Sequence, residues 1–273
     1  MQYQGKTAVV TGAGSGIGRA LTVELCRRGA SVAASDVDPA GLERTVMLCR
    51  DYAGKACGYD LDVADRSAVL AHADAVAAAY PSIDMVINNA GVAVAATVEE
   101  MTFEDLDWLL GINLLGVING SKAFLPHLIR SGDGHLVNLS SVFGLIAPAT
   151  QSAYYCAAKF AVRGFTESLR QEMLISGLPV SVHCAHPGGI RTNIARNARV
   201  APSIGSGSSF ADDFGRVART TPERAARVIL HGVEAGRPRI LIGPDAYLIA
   251  ATERVIGARY QNLLARLGRR FTP

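Results

Sequence analysis

The chain has 273 residues and a formal charge of +3, with 49% hydrophobic and 19% charged residues. That is too apolar for a disordered chain and enough to bury a sizeable core, in one large domain or two small ones. The first residues, MQYQGKTAVVTG, lack the features of a signal peptide, and no window offers the roughly 18 unbroken apolar residues of a membrane span, so a cytoplasmic protein is expected.

In chain order, β-branched strands are predicted at about 6–10 (KTAVV), 31–35, 55–60, 83–87 (IDMVI), 134–139 (GHLVNL), 180–184 (VSVHC) and 239–242. Between them, segments of helical period predict helices at about 17–29, 39–52, 65–80, 102–130, 153–176 and 222–235. Strands as apolar as TAVV and DMVI need cover on both faces, which a surface antiparallel sheet does not. The alternation therefore predicts α/β, a doubly wound parallel sheet with helices on both faces. Residues 190–221 break the rhythm as a Gly- and Ser-rich stretch expected to be a binding loop, a lid or disorder, with Thr221 and Pro222 starting the next helix.

Five scattered cysteines, never spaced C-x-x-C, indicate neither a disulfide framework nor zinc, and six histidines show no ligand spacing, so no metal is expected. Nothing looks like a nucleic-acid recognition module. Trp108 and Phe103 are expected to be packing residues.

The stretch TAVVTGAGSGIGRAL runs from the first strand into the first helix. There Gly12, Gly16 and Gly18 permit a tight turn, close approach of backbone to a pyrophosphate, and close helix packing, with helix N-terminal N–H groups facing the phosphates. Asp36, about 20 residues on, ends the second strand, where a carboxylate accepts from ribose hydroxyls and repels a 2′-phosphate. Ser35 and Val37 supply no cation, so NAD is expected over NADP. Asp38, before Pro39, has the alternative role of a helix N-cap.

Further motifs follow in order: DLDV with Asp62 and Val63, NNAG at Asn88 to Gly91, GINLLG with Asn113, VNLSS with Ser140 and Ser141, Tyr155 and Lys159 at YxxxK spacing, and HPGGIRT from His186 to Thr192. With TGAGSGIG from Thr11 to Gly18, this ordered set resembles the short-chain dehydrogenase/reductase superfamily in its compact form, over nearly the whole chain to about residue 243. The resemblance implies a Rossmann-like sheet of about seven strands in one domain over 1–245, with 246–273 a helical extension packed on the domain or on an oligomer interface. It also implies cofactor contacts at Ser15 and Ile17 in the glycine turn, at Asp62 and Val63 for adenine, at Asn89, Ala90 and Gly91, and at Pro187, Gly188, Ile190 and Thr192 toward the nicotinamide. Asp62 as a helix cap and NNAG as a plain turn are the bland alternatives.

The implied reaction moves hydride between a nicotinamide and a secondary alcohol or ketone. Tyr155 would be the general acid/base, and Lys159 would favour its phenolate and hold ribose hydroxyls. Ser141 would donate to the substrate oxygen, and Asn113 would hold a relay water. Tyr154 competes for the catalytic role: counting back to Ser141 selects it, whereas YxxxK selects Tyr155. Residues four apart on a helix lie about 40° from each other and residues five apart about 140°, so the helix, a stiffer ruler than the loop, selects Tyr155.

Apolar Val142, Phe143, Leu145 and Ile146 suggest a small or hydrophobic substrate. The resemblance implies a homodimer or homotetramer paired through the long helices. The basic, amphipathic 246–273 segment suits interface packing, or contact with an anionic membrane surface. A catalytically silent dinucleotide-binding protein of the same fold is the alternative function.

Overall fold

The computed structural model describes residues 3–148 and 153–268. In order, the elements are β1 (Thr7–Thr11), α1 (Gly16–Arg27), β2 (Ser31–Asp36), α2 (Pro39–Leu48), β3 (Ala56–Asp60), α3 (Arg66–Ala79), β4 (Met85–Asn88), β5 (Val94–Ala95), α4 (Phe103–Leu110) and α5 (Gly116–Arg130). Then come β6 (Gly134–Leu139), α6 (Ala153–Ile175), β7 (Val180–Pro187), β8 (Arg199–Val200), α7 (Gly207–Val217), α8 (Pro222–Glu234), β9 (Arg239–Ile242), α9 (Pro244–Ile256) and α10 (Tyr260–Gly268).

Seven parallel strands form one sheet in the order β3-β2-β1-β4-β6-β7-β9. Alternate residues face opposite sides, and each side finds its own helices. Ala8, Val10, Met85, Ile87 and Val137 pack with Leu21 and Leu25 of α1 and Ile229 and Leu230 of α8. Val9, Val86, Leu136 and Val182 pack on the other face with Val76 of α3, Phe124 and Leu128 of α5, and Leu169 and Met173 of α6. This is the three-layer, doubly wound architecture that the apolar strands predict, and the order reverses between β1 and β4, where such sheets open a crevice at their carboxyl ends.

Local signals explain several boundaries. Thr221 caps α8, its side chain accepting from the Arg224 amide, with Pro222 in the first turn. Asp65, not Asp62, caps α3, accepting from the amides of Ser67 and Ala68. Asp38 occupies the N-cap position of α2, but its side chain makes no capping bond.

Three expectations need correction. Residues 190–221 are not a plain loop: they hold β8, a 3-10 turn at Pro202–Ile204 and the amphipathic α7, because Phe210, Phe214 and Val217 recur at helical spacing inside the Ser-rich stretch. The continuous helix expected over 102–130 is α4 and α5 joined by a π-helical turn at Gly111–Leu115. Phe103 is not packed in this chain but 83% exposed. Phe103–Arg130 is also long and apolar enough to cross a membrane by length and composition, yet half of that apolar window is buried inside the domain.

Four histidines are internal: His72, His135, His183 and His186. His135 and His183 stack with ring centroids 5.7 Å apart on neighbouring β6 and β7, and the Nδ1 of His183 lies 2.7 Å from the carbonyl oxygen of Arg237. All five cysteines are free. Ala149, at the far end of the loop after Ser141, and Arg269 and Arg270 of the basic segment lie outside the described residues.

Candidate active site

The crevice is built first by backbone. Gly12 and Gly16 have φ of +65° and +51°, a region open to glycine and strained for other residues. A Cβ at Gly12 would stand 2.8 Å from Ala90 Cα, so the NNAG segment lies directly against the glycine turn. Asn89 fastens the two: its Nδ2 donates to the carbonyl oxygens of Thr11 at 2.8 Å and Gly12 at 3.2 Å, and the amides of Asn89 and Ala90 donate to Thr11 Oγ1. Gly18 allows α1 to close on this turn, since a Cβ there would sit 2.6 Å from Asn89 Nδ2. Ser15 and Ile17 flank the same turn at the start of α1. Thr192 lies over it, its Cγ2 3.1 Å from where a Cβ of Gly16 would be.

Asp36 stands at the end of β2 beside this loop. Its Oδ2 accepts from the Gly14 amide at 2.7 Å and its Oδ1 from the Asp38 amide at 2.9 Å. Arg19, a cation that inspection of the strand end alone overlooks, reaches the same loop and donates to the carbonyl oxygens of Gly14 and Gly41 and, at 3.0 Å, to Thr45 Oγ1. Asp62 is exposed and accepts from the Ala64 amide at 2.9 Å, while Val63 is buried against Gly116.

A buried polar network, largely invisible in the sequence, supports the crevice floor. Asn88 Nδ2 donates to Asn138 Oδ1 at 2.8 Å and to Ser121 Oγ at 3.1 Å, and Asn138 Nδ2 donates to Thr166 Oγ1 at 3.1 Å. It ties β4, β6, α5 and α6 together through the Asn88 and Asn138 amide nitrogens, while the buried Asn88 Oδ1 has no partner among the described residues.

The candidate catalytic side chains meet at the carboxyl ends of β4 and β6. Tyr155 and Lys159 share one face of α6, with the Lys159 Nζ 5.7 Å from the Tyr155 ring centroid. Lys159 is 4% exposed and donates to the Leu139 carbonyl at 3.0 Å. Burial pulls its ammonium down to about 8. Burial pushes the Tyr155 phenol the other way, up to about 12, while the Ser141 hydroxyl facing it acts to lower it. Ser141 Oγ also accepts from the Phe143 amide at 3.1 Å, and the Phe143 ring meets the Tyr155 ring edge-on at 6.2 Å.

Asn113 is fully buried, and its side chain is paired with Val92: Oδ1 accepts from the Val92 amide and Nδ2 donates to the Val92 carbonyl, both at 2.8 Å. Its main chain lies in the π turn. Gly91 keeps the space beside it open, 3.2 Å from Asn113 Oδ1 and 3.7 Å from Lys159 Nζ for an added Cβ. His186 is a neighbour that its motif alone does not single out: its Nδ1 lies 2.8 Å from the Ser141 carbonyl oxygen, fixing the end of β6 to β7.

Pro187 closes β7, and the Gly188 amide donates to the Ile242 carbonyl at 2.9 Å. Ile190 is buried and bridged to Thr220. Across the mouth, β5 and β8 form a two-stranded parallel sheet. Arg199 stacks over Trp108, 4.0 Å from its ring centroid, and pairs with Asp105 at 2.8 Å. Under this latch Val94, Ala96, Met101, Leu109 and Ala158 form an apolar cluster against which Trp108, Tyr154, Tyr155 and Ala201 pack.

The crevice fits a dinucleotide. The glycine cradle leaves no room for side chains, Asp36 stands at its far end, and the Lys159 ammonium, with three donors, spends one on Leu139. Among the described residues no three of His, Cys, Asp and Glu gather as metal ligands.

Comparisons with known proteins agree with this geometry. Residues 6–202 match the family model described as short chain dehydrogenase. The chain is 50% identical over 272 residues to the putative oxidoreductase SadH of Mycobacterium tuberculosis, covering 99% of this chain and 98% of the relative. It is 33% identical to C alpha-dehydrogenase of Sphingobium sp., over 89% of this chain and 82% of that protein. Among solved structures, a short chain dehydrogenase/reductase from Burkholderia phymatum in complex with NAD superposes with a TM-score of 0.87 at 28% identity, covering 93% of this chain and 94% of the other.

Proposed function

The chain belongs to the short chain dehydrogenase family, and on that footing we propose that it is an NAD-dependent oxidoreductase interconverting a secondary alcohol and a ketone, with Tyr155 as its general acid/base. The observation that carries this reading is Tyr155 and Lys159 on one face of α6, with Ser141 opposite, beside a crevice shaped for a dinucleotide. Gly12, Ser15, Gly16, Ile17 and Gly18 would hold the pyrophosphate and Asp36 the adenosine ribose. Val63 and Asp62 would meet the adenine, Asn89, Ala90, Gly91 and Lys159 the middle of the cofactor, and Pro187, Gly188, Ile190 and Thr192 the nicotinamide. When bound, the nicotinamide supplies or takes the hydride.

The residues of the chain handle the proton. In reduction the Tyr155 phenol gives its proton to the carbonyl oxygen, and in oxidation the phenolate takes it from the alcohol. Burial keeps the phenol protonated and ready to donate, and an ammonium on Lys159 favours the phenolate that remains. Ser141 donates to the substrate oxygen as negative charge grows there. Asn113, its side chain held by Val92, would offer a main-chain group to a relay water.

Val142, Leu145 and Ile146 are buried beside this site and Tyr154 and Ala201 pack near it, which supports an apolar substrate. Exposed Phe103, Leu115 and Phe160, on α4, the π turn and α6, support a homo-oligomer paired through these helices.

The test is a panel of apolar secondary alcohols and ketones followed by NADH absorbance and repeated with NADPH. Turnover with NADH is expected. Binding of NADH without turnover across the panel would favour the catalytically silent reading, and turnover with NADPH alone would reverse the cofactor assignment.

A further inference from the structure

The geometry points to α9 and α10 as part of the catalytic apparatus: Asp245 and Tyr260 are positioning residues that hold the two loops flanking the nicotinamide end of the crevice. The inference rests on the proposed oxidoreductase reading and adds to it what orders the substrate side. Two independent contacts carry it.

The first is at the turn after β7. Gly243, with φ of +100°, ends β9 and lets the chain reverse into α9, whose first turn carries Asp245. The Asp245 Oδ2 accepts from the Gly189 amide at 2.6 Å, and the carboxylate fills the space that a side chain at Gly188 would need. Gly189 in turn accepts from the Thr220 amide at 3.2 Å, so one carboxylate fixes the turn that leads to Ile190 and Thr192. A charge-assisted bond from a backbone amide is among the stronger ones available.

The second is at the loop after Ser141. Tyr260 opens α10 and is 7% exposed, a burial unusual beside its exposed neighbours Arg259 and Gln261. Its phenol oxygen accepts from the Ala147 amide at 2.8 Å. Between Ser141 and Ala147 the chain makes one 3-10 turn, Val142–Gly144, against which α9 packs, and Phe143 of that turn meets the Tyr155 ring. Ala147 is itself exposed, just past the buried Leu145 and Ile146, so water can reach this end of the segment. The Tyr260 oxygen is the anchor there.

Each contact can be tested apart from bulk packing, the Asp245 contact by side chains that lack or keep the acceptor and the Tyr260 contact by deletion of one oxygen. Tyr260→Phe keeps the buried ring and deletes the acceptor. In that variant kcat/KM for the carbonyl substrate is expected to fall about tenfold, through both kcat and KM, with NADH Kd within about twofold of the parent. Hydrogen exchange of the 141–148 segment, which needs no turnover, is expected to speed about tenfold.

Asp245→Ala is expected to weaken NADH binding about tenfold, and Asp245→Asn, whose amide oxygen can still accept from Gly189, to recover most of it. Should Tyr260→Phe fail to fold, Ala147→Pro removes the same amide donor from the other side. Unchanged kinetics and unchanged exchange in the Tyr260 variant, or equal NADH binding by Asp245→Ala and the parent, would overturn the inference. If the parent turns over no alcohol or ketone, the oxidoreductase reading fails alone, because exchange and NADH binding still read the two anchors.

Discussion

The two walls of the crevice are built on different principles. On the cofactor side, Asn89, Thr11 and Asp36 tie the glycine turn and the NNAG segment together by bonds from short side chains to main-chain groups, and what the site needs there is the absence of side chains at Gly12 and Gly18. On the substrate side, the loops after Ser141 and Pro187 and the segment bearing β8 are each tied, beside their main-chain bonds, by one side chain from a distant part of the chain. Ala147 and Tyr260 are 113 residues apart, Arg199 and Asp105 94 apart, Gly189 and Asp245 56 apart. The first wall is therefore fixed where main chain must pass too close for any side chain, a geometry that few substitutions can imitate. The second can be retuned one contact at a time without disturbing the first.

The sharpest probe of this division is the tyrosine pair at its seam. Tyr155→Phe is expected to lower kcat by about a thousandfold with little change in NADH binding, since it deletes one proton donor and no wall. Tyr154→Phe is expected to stay within about threefold of the parent, because that residue packs on the apolar cluster under the latch. The reverse result would mean that the helical ruler has chosen the wrong residue.

On the cofactor wall, Asp36→Asn keeps an acceptor for the Gly14 amide but loses the charge, so a preference for NADH over NADPH of about a hundredfold is expected to shrink to within about fivefold. Competition binding with the two cofactors measures it, and an unchanged preference would shift the discrimination elsewhere, with Arg19 the first place to look. On the substrate wall, Arg199→Ala removes both the stack on Trp108 and the pair with Asp105, each worth about 0.5–1 kcal/mol at an exposed site. A rise of three- to tenfold in KM for the carbonyl substrate is expected, with cofactor Kd unchanged. A comparable loss of cofactor affinity would show that the walls are not independent.

The same contrast explains what the sequence reveals. Parallel strands buried on both faces announce themselves as apolar runs, so the sheet was legible, and with it the crevice. TGAGSGIG, NNAG and YxxxK are legible because backbone approach and helical phase impose fixed local spacings. Asn138, Ser121 and Thr166 are not, since their partners lie on other elements and no spacing rule links them. The helix in 207–217 was hidden by its Ser and Gly content, which reads as loop although Phe210, Phe214 and Val217 keep a helical period. Tyr260 and Asp245 carry no local mark at all.

The histidines buried along β6, β7 and α3 have a consequence for the whole fold, expressed in protons rather than contacts. Burial lowers His72, His183 and His186 to about 4 each, and lowers His135 as well. In the unfolded chain a histidine takes up its proton near about 6.5. Between roughly 6.5 and 4 the unfolded chain thus binds more protons than the folded one, and stability must fall as the pH falls through that window. With about three sites involved, the slope approaches 4 kcal/mol per pH unit at its steepest. Urea midpoints taken from pH 7 to pH 4.5 should drop accordingly, and a flat profile to pH 5 would show that these rings reach water. The chain thus carries an internal acid limit, set by buried rings on β6, β7 and α3 and independent of Tyr155 and Lys159.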